Sequence, residues 1–155
     1  MTTERPSFIV DASLVARWEL RNPPYLVEAL RVRDDYLEQR ISLAAPNNLL
    51  VEVSGAIHHG MLTRLITPEQ VEVRLEHLLN LEIPTFDNSD LLIPAHRLSR
   101  RLGCSFYDSL YLAVTEALGV PFIHADARLR QTLAGRFRLE LWIQDYQSPI
   151  VGECS

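Results

Sequence analysis

Four acidic residues stand where catalytic chemistry is easily placed: Asp11, Glu52, Asp108 and Asp126. Asp11 closes the apolar run Phe8-Ile9-Val10, and Asp126 follows Phe122-Ile123-His124-Ala125. Asp108 ends Ser105-Phe-Tyr-Asp108, an S-x-x-D pattern opening a helix that is apolar nearly all round. Glu52 sits on the flank of a helical stripe, ~100° from its centre, with Gly55 and Ala56 leaving room beside it. Each acid has a plain structural reading. Asp11 and Asp126 suit helix N-caps, Asp108 a capping box, and Glu52 a solvated flank. Together they imply more. An ionised carboxylate in a buried helix is costly unless it is paired or binds a cation. Crowded like charges raise one another's pKa unless a divalent cation offsets them. Oxygen ligands without Cys or clustered His favour Mg²⁺ or Mn²⁺ over Zn²⁺. Such a site activates water and neutralises a phosphate placed for in-line attack.

Composition removes the main competing chemistries. All 15 basic residues are Arg, and the chain has no Lys. A phosphate-binding loop ending in G-K-[ST] and a Schiff-base mechanism are therefore excluded. A receiver domain and a haloacid-dehalogenase-type phosphatase, which use a lysine beside their aspartates, are disfavoured. No two of the six glycines are spaced G-x-G, so the dinucleotide fingerprint is absent. Cys104 and Cys154 form no C-x-x-C, and a reducing compartment is expected. His58-His59, His77 and His96 form no H-E-x-x-H and read as surface or boundary residues. The net charge of −5 excludes a basic, histone-like coat for nucleic acid. The N-terminus reads as no signal peptide, and no run approaches the ~18 apolar residues of a membrane span. The expectation is a cytoplasmic protein with no membrane partner.

The length of 155 residues predicts a single domain over 1–155. Short apolar strands are expected at 7–11, 41–45, 81–86, 120–124 and 138–143. Helical patterns occupy 24–40, 47–62 and 67–80, the last opened by Thr67-Pro68-Glu69-Gln70 as a capping box. Asp90 is expected to cap a helix ending at Gly103, Ser105 one ending at Gly119, and Asp126 a short one ending near Gly135. Alternation of strands and helices predicts an α/β fold: a three-layer α/β/α sandwich with a short, mostly parallel central sheet. Function in such sheets sits at the carboxyl ends of the strands. All four acids belong there.

Two further groups draw attention. Arg97, Arg100, Arg101, Arg128, Arg130, Arg136 and Arg138 suit either a solvated flank or contacts to an RNA backbone. Trp18, Leu20, Tyr25 and Leu26, near Pro23-Pro24, suit either the core or a patch for a partner helix.

The acidic motifs resemble a known family. Phe8-Ile-Val-Asp11-Ala-Ser13 resembles the opening of PIN-domain ribonucleases, and Asn47-Asn-Leu-Leu-Val-Glu52-Val their second acidic motif. Ser105-Phe-Tyr-Asp108-Ser-Leu-Tyr-Leu-Ala113 resembles the S-x-Y-D-A-x-Y-L-A stretch of VapC-type toxins. Phe122-Ile-His-Ala-Asp126-Ala-Arg-Leu129 resembles their final T-A-D-x-x-L motif. The set covers essentially the whole chain in the family's order. The resemblance implies a PIN-like fold and a metal-dependent endoribonuclease, the toxin of a type II toxin–antitoxin pair. It implies Asp11, Glu52, Asp108 and Asp126 as catalytic residues holding Mg²⁺ or Mn²⁺. It implies RNA as substrate, a VapB-like antitoxin laid across the acidic groove, and a homodimer. Ser13, Ser105 and His124 are candidate contacts to metal-bound water or phosphate. His124 stands where the family usually has Thr or Ser, and Ser109 where Ala is common. The alternatives are a PIN-like protein-binding module without catalysis, against which the full set of acids argues, and a DNA-acting metal nuclease of similar fold.

Overall fold

Ile9 and Val10 are 1% and 0% exposed, the burial expected of a central strand covered on both faces. That strand, β1 (Ser7–Val10), is the third of five in the order β3-β2-β1-β4-β5, all parallel. The other strands are β2 (Ser42–Pro46), β3 (Thr85–Phe86), β4 (Phe122–His124) and β5 (Glu140–Trp142). The computed structural model describes residues 4–20 and 24–150. Residues 1–3, Pro23 and Cys154, which entered the sequence analysis, lie outside them.

From β1 the chain steps outward through α1 (Ala12–Glu19) and α2 (Leu26–Leu37) to β2, then through α3 (Leu49–Leu62) and α4 (Pro68–Asn80) to β3. It then returns across the sheet through α5 (Leu92–Leu102) and α6 (Phe106–Leu118) to β4, and through α7 (Ala127–Leu133) to β5. Right-handed crossovers running in opposite directions place the two helix sets on opposite faces, giving the three-layer sandwich. α1 packs on α2, α3 and α4, while α6 packs on α5 and spans β2, β1 and β4. The reversal of direction falls between β1 and β4, which pair as Ile9 with Phe122 and Val10 with Ile123. A parallel sheet opens a cleft at that switch point, and the residues just after β1 and β4 line it.

Local signals set most boundaries. Thr67 and Gln70 form the capping box of α4, with the Thr67 N–H donating to Gln70 Oε1 at 2.9 Å. α5 ends at Gly103 (φ 75°) and α6 at Gly119 (φ 67°), left-handed positions that glycine adopts without strain. The third strand is shorter than the apolar run 81–86 suggested. Glu82 turns left-handed (φ 50°) and only Thr85 and Phe86 pair with β2. Asp90 does not cap α5. The Asp87 carboxylate instead accepts from the Ser89 N–H and hydroxyl, and a 3-10 turn over Ser89–Leu91 precedes the helix. Helix α1, which the sequence analysis did not delimit, is opened by Asp11 itself.

Trp18 belongs to the core. It is 6% exposed, and its indole N–H donates to the Ala29 carbonyl at 2.7 Å, joining α1 to α2. Tyr25 packs edge-on against Trp142 at 5.0 Å. Near the chain's end, Tyr146 closes one flank. Its hydroxyl donates to Asp35 Oδ2 at 2.6 Å, and Arg40 Nε donates to Asp35 Oδ1 at 2.6 Å. Asp35 is 0% exposed. Burial pushes its pKa up, but hydrogen bonds from Ser148, Tyr146 and Arg40 outweigh this and hold it below the ordinary value. Tyr146→Phe should leave that carboxylate short of a donor and destabilise the fold by about 1–3 kcal/mol, read from denaturant midpoints. The loss should shrink in acid, where a carboxylate with depressed pKa finally protonates and its contribution to stability disappears anyway.

Candidate active site

Asp11 leaves β1 directly into the cleft, and its backbone N–H donates to the Ile123 carbonyl at 3.0 Å, continuing the ladder to β4. Its side chain caps α1, accepting from the Ser13 N–H at 3.1 Å. The residue is only 4% exposed. Burial raises its pKa to about 7; the Ser13 hydrogen bonds oppose the shift, and the charges of Asp108 and Glu52 add to it. Asp126 is placed by the same logic one strand over. It caps α7, accepting from the N–H groups of Arg128 (2.9 Å) and Leu129 (3.1 Å).

Asp108 rides in the first turn of α6, which crosses under β1 and β4. Ser105 caps that helix, its hydroxyl oxygen accepting from the Asp108 N–H at 3.0 Å. Burial raises the pKa of the half-buried Asp108, and the negative charge of Asp126 adds to this; the Ser105 hydrogen bonds and His124 oppose it. Glu52 enters from α3. Burial raises its pKa too, against hydrogen bonds from Asn48 and Tyr111, and the charge of Asp108 adds to the rise. The structure thus brings all four sequence-predicted acids to one end of the sheet, each feeling the charge of at least one other. Among the described residues, none of the four takes part in an ion pair within 4 Å.

The three auxiliary candidates make hydrogen bonds to the backbone around the acids. The Ser13 hydroxyl accepts from the Ala125 N–H at 3.1 Å, stitching the loop after β1 to the loop after β4. Ser105 is the cap of α6 described above. His124 is fully buried and does not face the cleft mouth. Its Nδ1 accepts from the Asp126 N–H at 3.2 Å, which leaves Nε2 as the protonated nitrogen, donating to Glu140 Oε1 at 2.9 Å. Burial lowers its pKa despite Glu140, so the ring stays neutral and fixes the backbone of Asp126. It stacks on Phe122 at 5.2 Å and meets Trp142 edge-on at 5.4 Å.

Tyr111, Asn48 and Asn88 were not singled out by sequence. Tyr111 is fully buried, and its hydroxyl donates to Glu52 Oε2 at 3.1 Å. Burial and the surrounding carboxylates push its pKa far above the ordinary tyrosine range, so it is a permanent donor. Asn48 Nδ2 donates to Glu52 Oε1 at 2.6 Å, and Asn48 Oδ1 accepts in turn from Asn88 at 3.3 Å. The one signal for Tyr111 was a polar tip in an otherwise apolar helix, which requires a buried partner. Nothing local marked Asn88, which lies 40 residues from Asn48. The arginines expected to meet RNA divide. Arg136 is spent on the carbonyls of Arg101, Leu102 and Thr132, and Arg101 pairs with Glu116 at 3.4 Å, whereas Arg128 is exposed beside Asp126.

The donor set fits a hard divalent cation: oxygen ligands only, with raised proton affinity at Asp11, Glu52 and Asp108. Among the described residues, no three His, Cys, Asp or Glu side chains stand close enough to grip one ion in their present rotamers.

The shift of Asp11 has a sign that can be tested in metal-free protein. Its folded pKa of about 7 exceeds the ordinary 3.8, so its ionisation costs stability. The cost is absent below about pH 4, grows through the window between the two values, and is complete above pH 7, where it is on the order of 4 kcal/mol. Asp11→Asn keeps a capping side chain and removes the charge. In EDTA it should melt above wild type at about pH 8, and the gain should vanish near pH 4. A variant no more stable than wild type at the higher pH would mean that the Asp11 charge is matched.

Known proteins resemble this chain in sequence and in fold. Over 133 residues, 86% of this chain and 97% of the relative, the chain is 29% identical to Ribonuclease VapC12 of Mycobacterium tuberculosis. Over 85 residues, 55% of this chain and 63% of the relative, it is 35% identical to Ribonuclease VapC1 of the same organism. The crystal structure of PAE2754 from Pyrobaculum aerophilum shares the fold, with a TM-score of 0.63 at 20% identity and 90% of each chain covered. No family profile matches the chain. With the acidic motifs in order on this fold, the chain is similar to the VapC-type PIN-domain ribonucleases.

Proposed function

We propose that this protein is a metal-dependent endoribonuclease and the toxin of a toxin–antitoxin pair, cutting RNA at the cleft between β1 and β4. The observation that carries the proposal is the convergence of Asp11, Glu52, Asp108 and Asp126 at the switch point with, among the described residues, no ion pair within 4 Å. The similarity to Ribonuclease VapC12, over 86% of this chain and 97% of the relative, supports RNA as the substrate. These four carboxylates would hold Mg²⁺ or Mn²⁺. When bound, such a cation neutralises phosphate charge and makes water a stronger nucleophile at neutral pH.

The chain's own residues do the positioning. Tyr111 and Asn48 each hold one oxygen of Glu52, so that carboxylate presents a fixed face. Ser13 ties the Asp11 loop to Ala125, which fixes the spacing between Asp11 and Asp126. His124 and the α7 amides hold Asp126 from its backbone and its side chain respectively. Asp11, with its pKa raised to about 7 by burial, would join the set that holds the cation in its ionised form. A VapB-like antitoxin would silence the site by placing an arginine among the carboxylates. Exposed Leu92 and Ile93 at the start of α5 support a homodimer. Among the described residues no helix is long and apolar enough to cross a membrane, and we place the protein in the cytoplasm with its RNA.

The test is incubation of purified protein with structured and unstructured RNA in Mg²⁺, Mn²⁺ or EDTA, beside DNA of the same sequence. Cleavage should need the metal, spare DNA, and leave 5′-phosphate and 3′-hydroxyl ends. Cyclic 2′,3′-phosphate ends or EDTA-resistant cutting would indicate a different chemistry. Asp108→Asn should lose at least about 100-fold in rate, the scale of removing one group that stabilises developing charge. Mn²⁺ should raise the melting temperature of wild type more than that of Asp108→Asn, through linkage. Overexpression should slow growth, and co-expression of the neighbour-encoded antitoxin should relieve it.

A further inference from the structure

An acidic cleft that admits RNA has to attract a polyanion to a place that repels it. The chain has no lysine, so the attraction must come from arginine. Several arginines are engaged elsewhere: Arg33 with Asp34, Arg40 with Asp35, Arg74 with Glu19 and Arg101 with Glu116. Arg17 differs. It lies one helical turn beyond Ser13 on α1, half-buried, and its guanidinium donates to the Ser13 carbonyl. Ser13 is the residue whose N–H holds Asp11 and whose hydroxyl holds Ala125. Arg17 Nε donates to the Pro24 carbonyl at 3.1 Å. Both partners are neutral, so the side chain is oriented without, among the described residues, an ion pair within 4 Å. The rest of its N–H fork remains for an anion. Burial lowers its pKa, but the charges of Asp126 and Asp11 act against this, which places the guanidinium within electrostatic reach of both acids.

We propose that Arg17 holds the RNA phosphate next to the one that is cleaved. The proposal rests on the ribonuclease reading above and names the cation that this reading requires. A guanidinium fixed by two carbonyls offers a planar, preorganised donor pair for phosphate, with little further entropy to lose. It also explains how a chain of net charge −5 can take RNA at its most acidic point.

The test measures binding rather than turnover. Asp108→Asn serves as parent, and a labelled single-stranded oligouridine is titrated by fluorescence anisotropy over a range of salt at constant Mg²⁺. Arg17→Gln in that parent keeps a donor for the Ser13 carbonyl and removes the charge. Its salt slope should fall by about 0.7, the loss of one phosphate contact on a single strand. Arg17→Lys should keep the parental slope but bind several-fold more weakly, since a point charge cannot reproduce the fork. A folded Arg17→Gln variant with the parental slope overturns the proposal. So does an Arg17→Lys variant that binds as tightly as the parent, a comparison that stands even if Arg17→Gln does not fold. If the parent binds no oligonucleotide, the ribonuclease reading itself fails and this proposal falls with it.

Discussion

Asp11 is a carboxylate buried at the end of the central strand and, among the described residues, without an ion pair within 4 Å, and the surrounding architecture answers to that fact. Its charge cannot be solvated, because β2 and β4 flank it and α1 starts at it. It cannot move away, because its backbone is part of the ladder to β4 and its side chain caps α1. The remaining acids enter from α3, α6 and α7, so four separate elements deliver negative charge to one end of the sheet. Folding alone gains nothing from such crowding. Sites of this kind trade stability for function, and a bound cation returns part of the loss.

Three sets of hydrogen bonds keep the acids in place while they repel one another. One runs from Asn88 through Asn48 to Glu52, with Tyr111 on the other carboxylate oxygen. The second is Ser13 against Ala125. The third is the neutral His124 ring between Asp126 and Glu140, clamped by Phe122 and Trp142. Each ends on buried or half-buried groups, where an unmade hydrogen bond is expensive. His124 thereby fills a fully buried position with an acceptor for one loop and a donor for the neighbouring strand. A hydroxyl could serve the first contact but would not span the distance to β5.

The distribution of arginine completes the electrostatic picture. Several guanidiniums hold structure: Arg40 clamps Asp35, Arg136 gathers carbonyls from α5 and α7, and Arg130 lies over Trp142 at 4.7 Å. With every basic residue an arginine, no ammonium group can reach the carboxylates and settle there as a compact counter-ion. The acids therefore remain available to a divalent cation, and planar guanidinium chemistry is what remains for phosphate.

Much of this was legible along the chain. The apolar runs ending in Asp11 and Asp126, the Thr67 capping box, the Ser105 cap and the helix-ending Gly103 and Gly119 are local devices, complete within a few residues. Local devices depend on short-range sterics and hydrogen bonds, which sequence spacing encodes directly. The order of short strands and intervening helices implied the parallel sandwich for the same reason. Other features were decided only in three dimensions. Glu82 and the Asp87 turn altered the expected edges of β3 and α5, because backbone torsion there overrides apolar patterning. Trp18 read equally well as core or docking patch until α2 offered the Ala29 carbonyl. The partners of Glu52 come from residues 59 positions away at Tyr111 and, through Asn48, from Asn88. Nothing in the sequence distinguishes Arg17 from the other arginines. Its charge comes within electrostatic reach of Asp11 and Asp126 only because the right-handed crossovers bring α1 and α7 to the same end of β1 and β4.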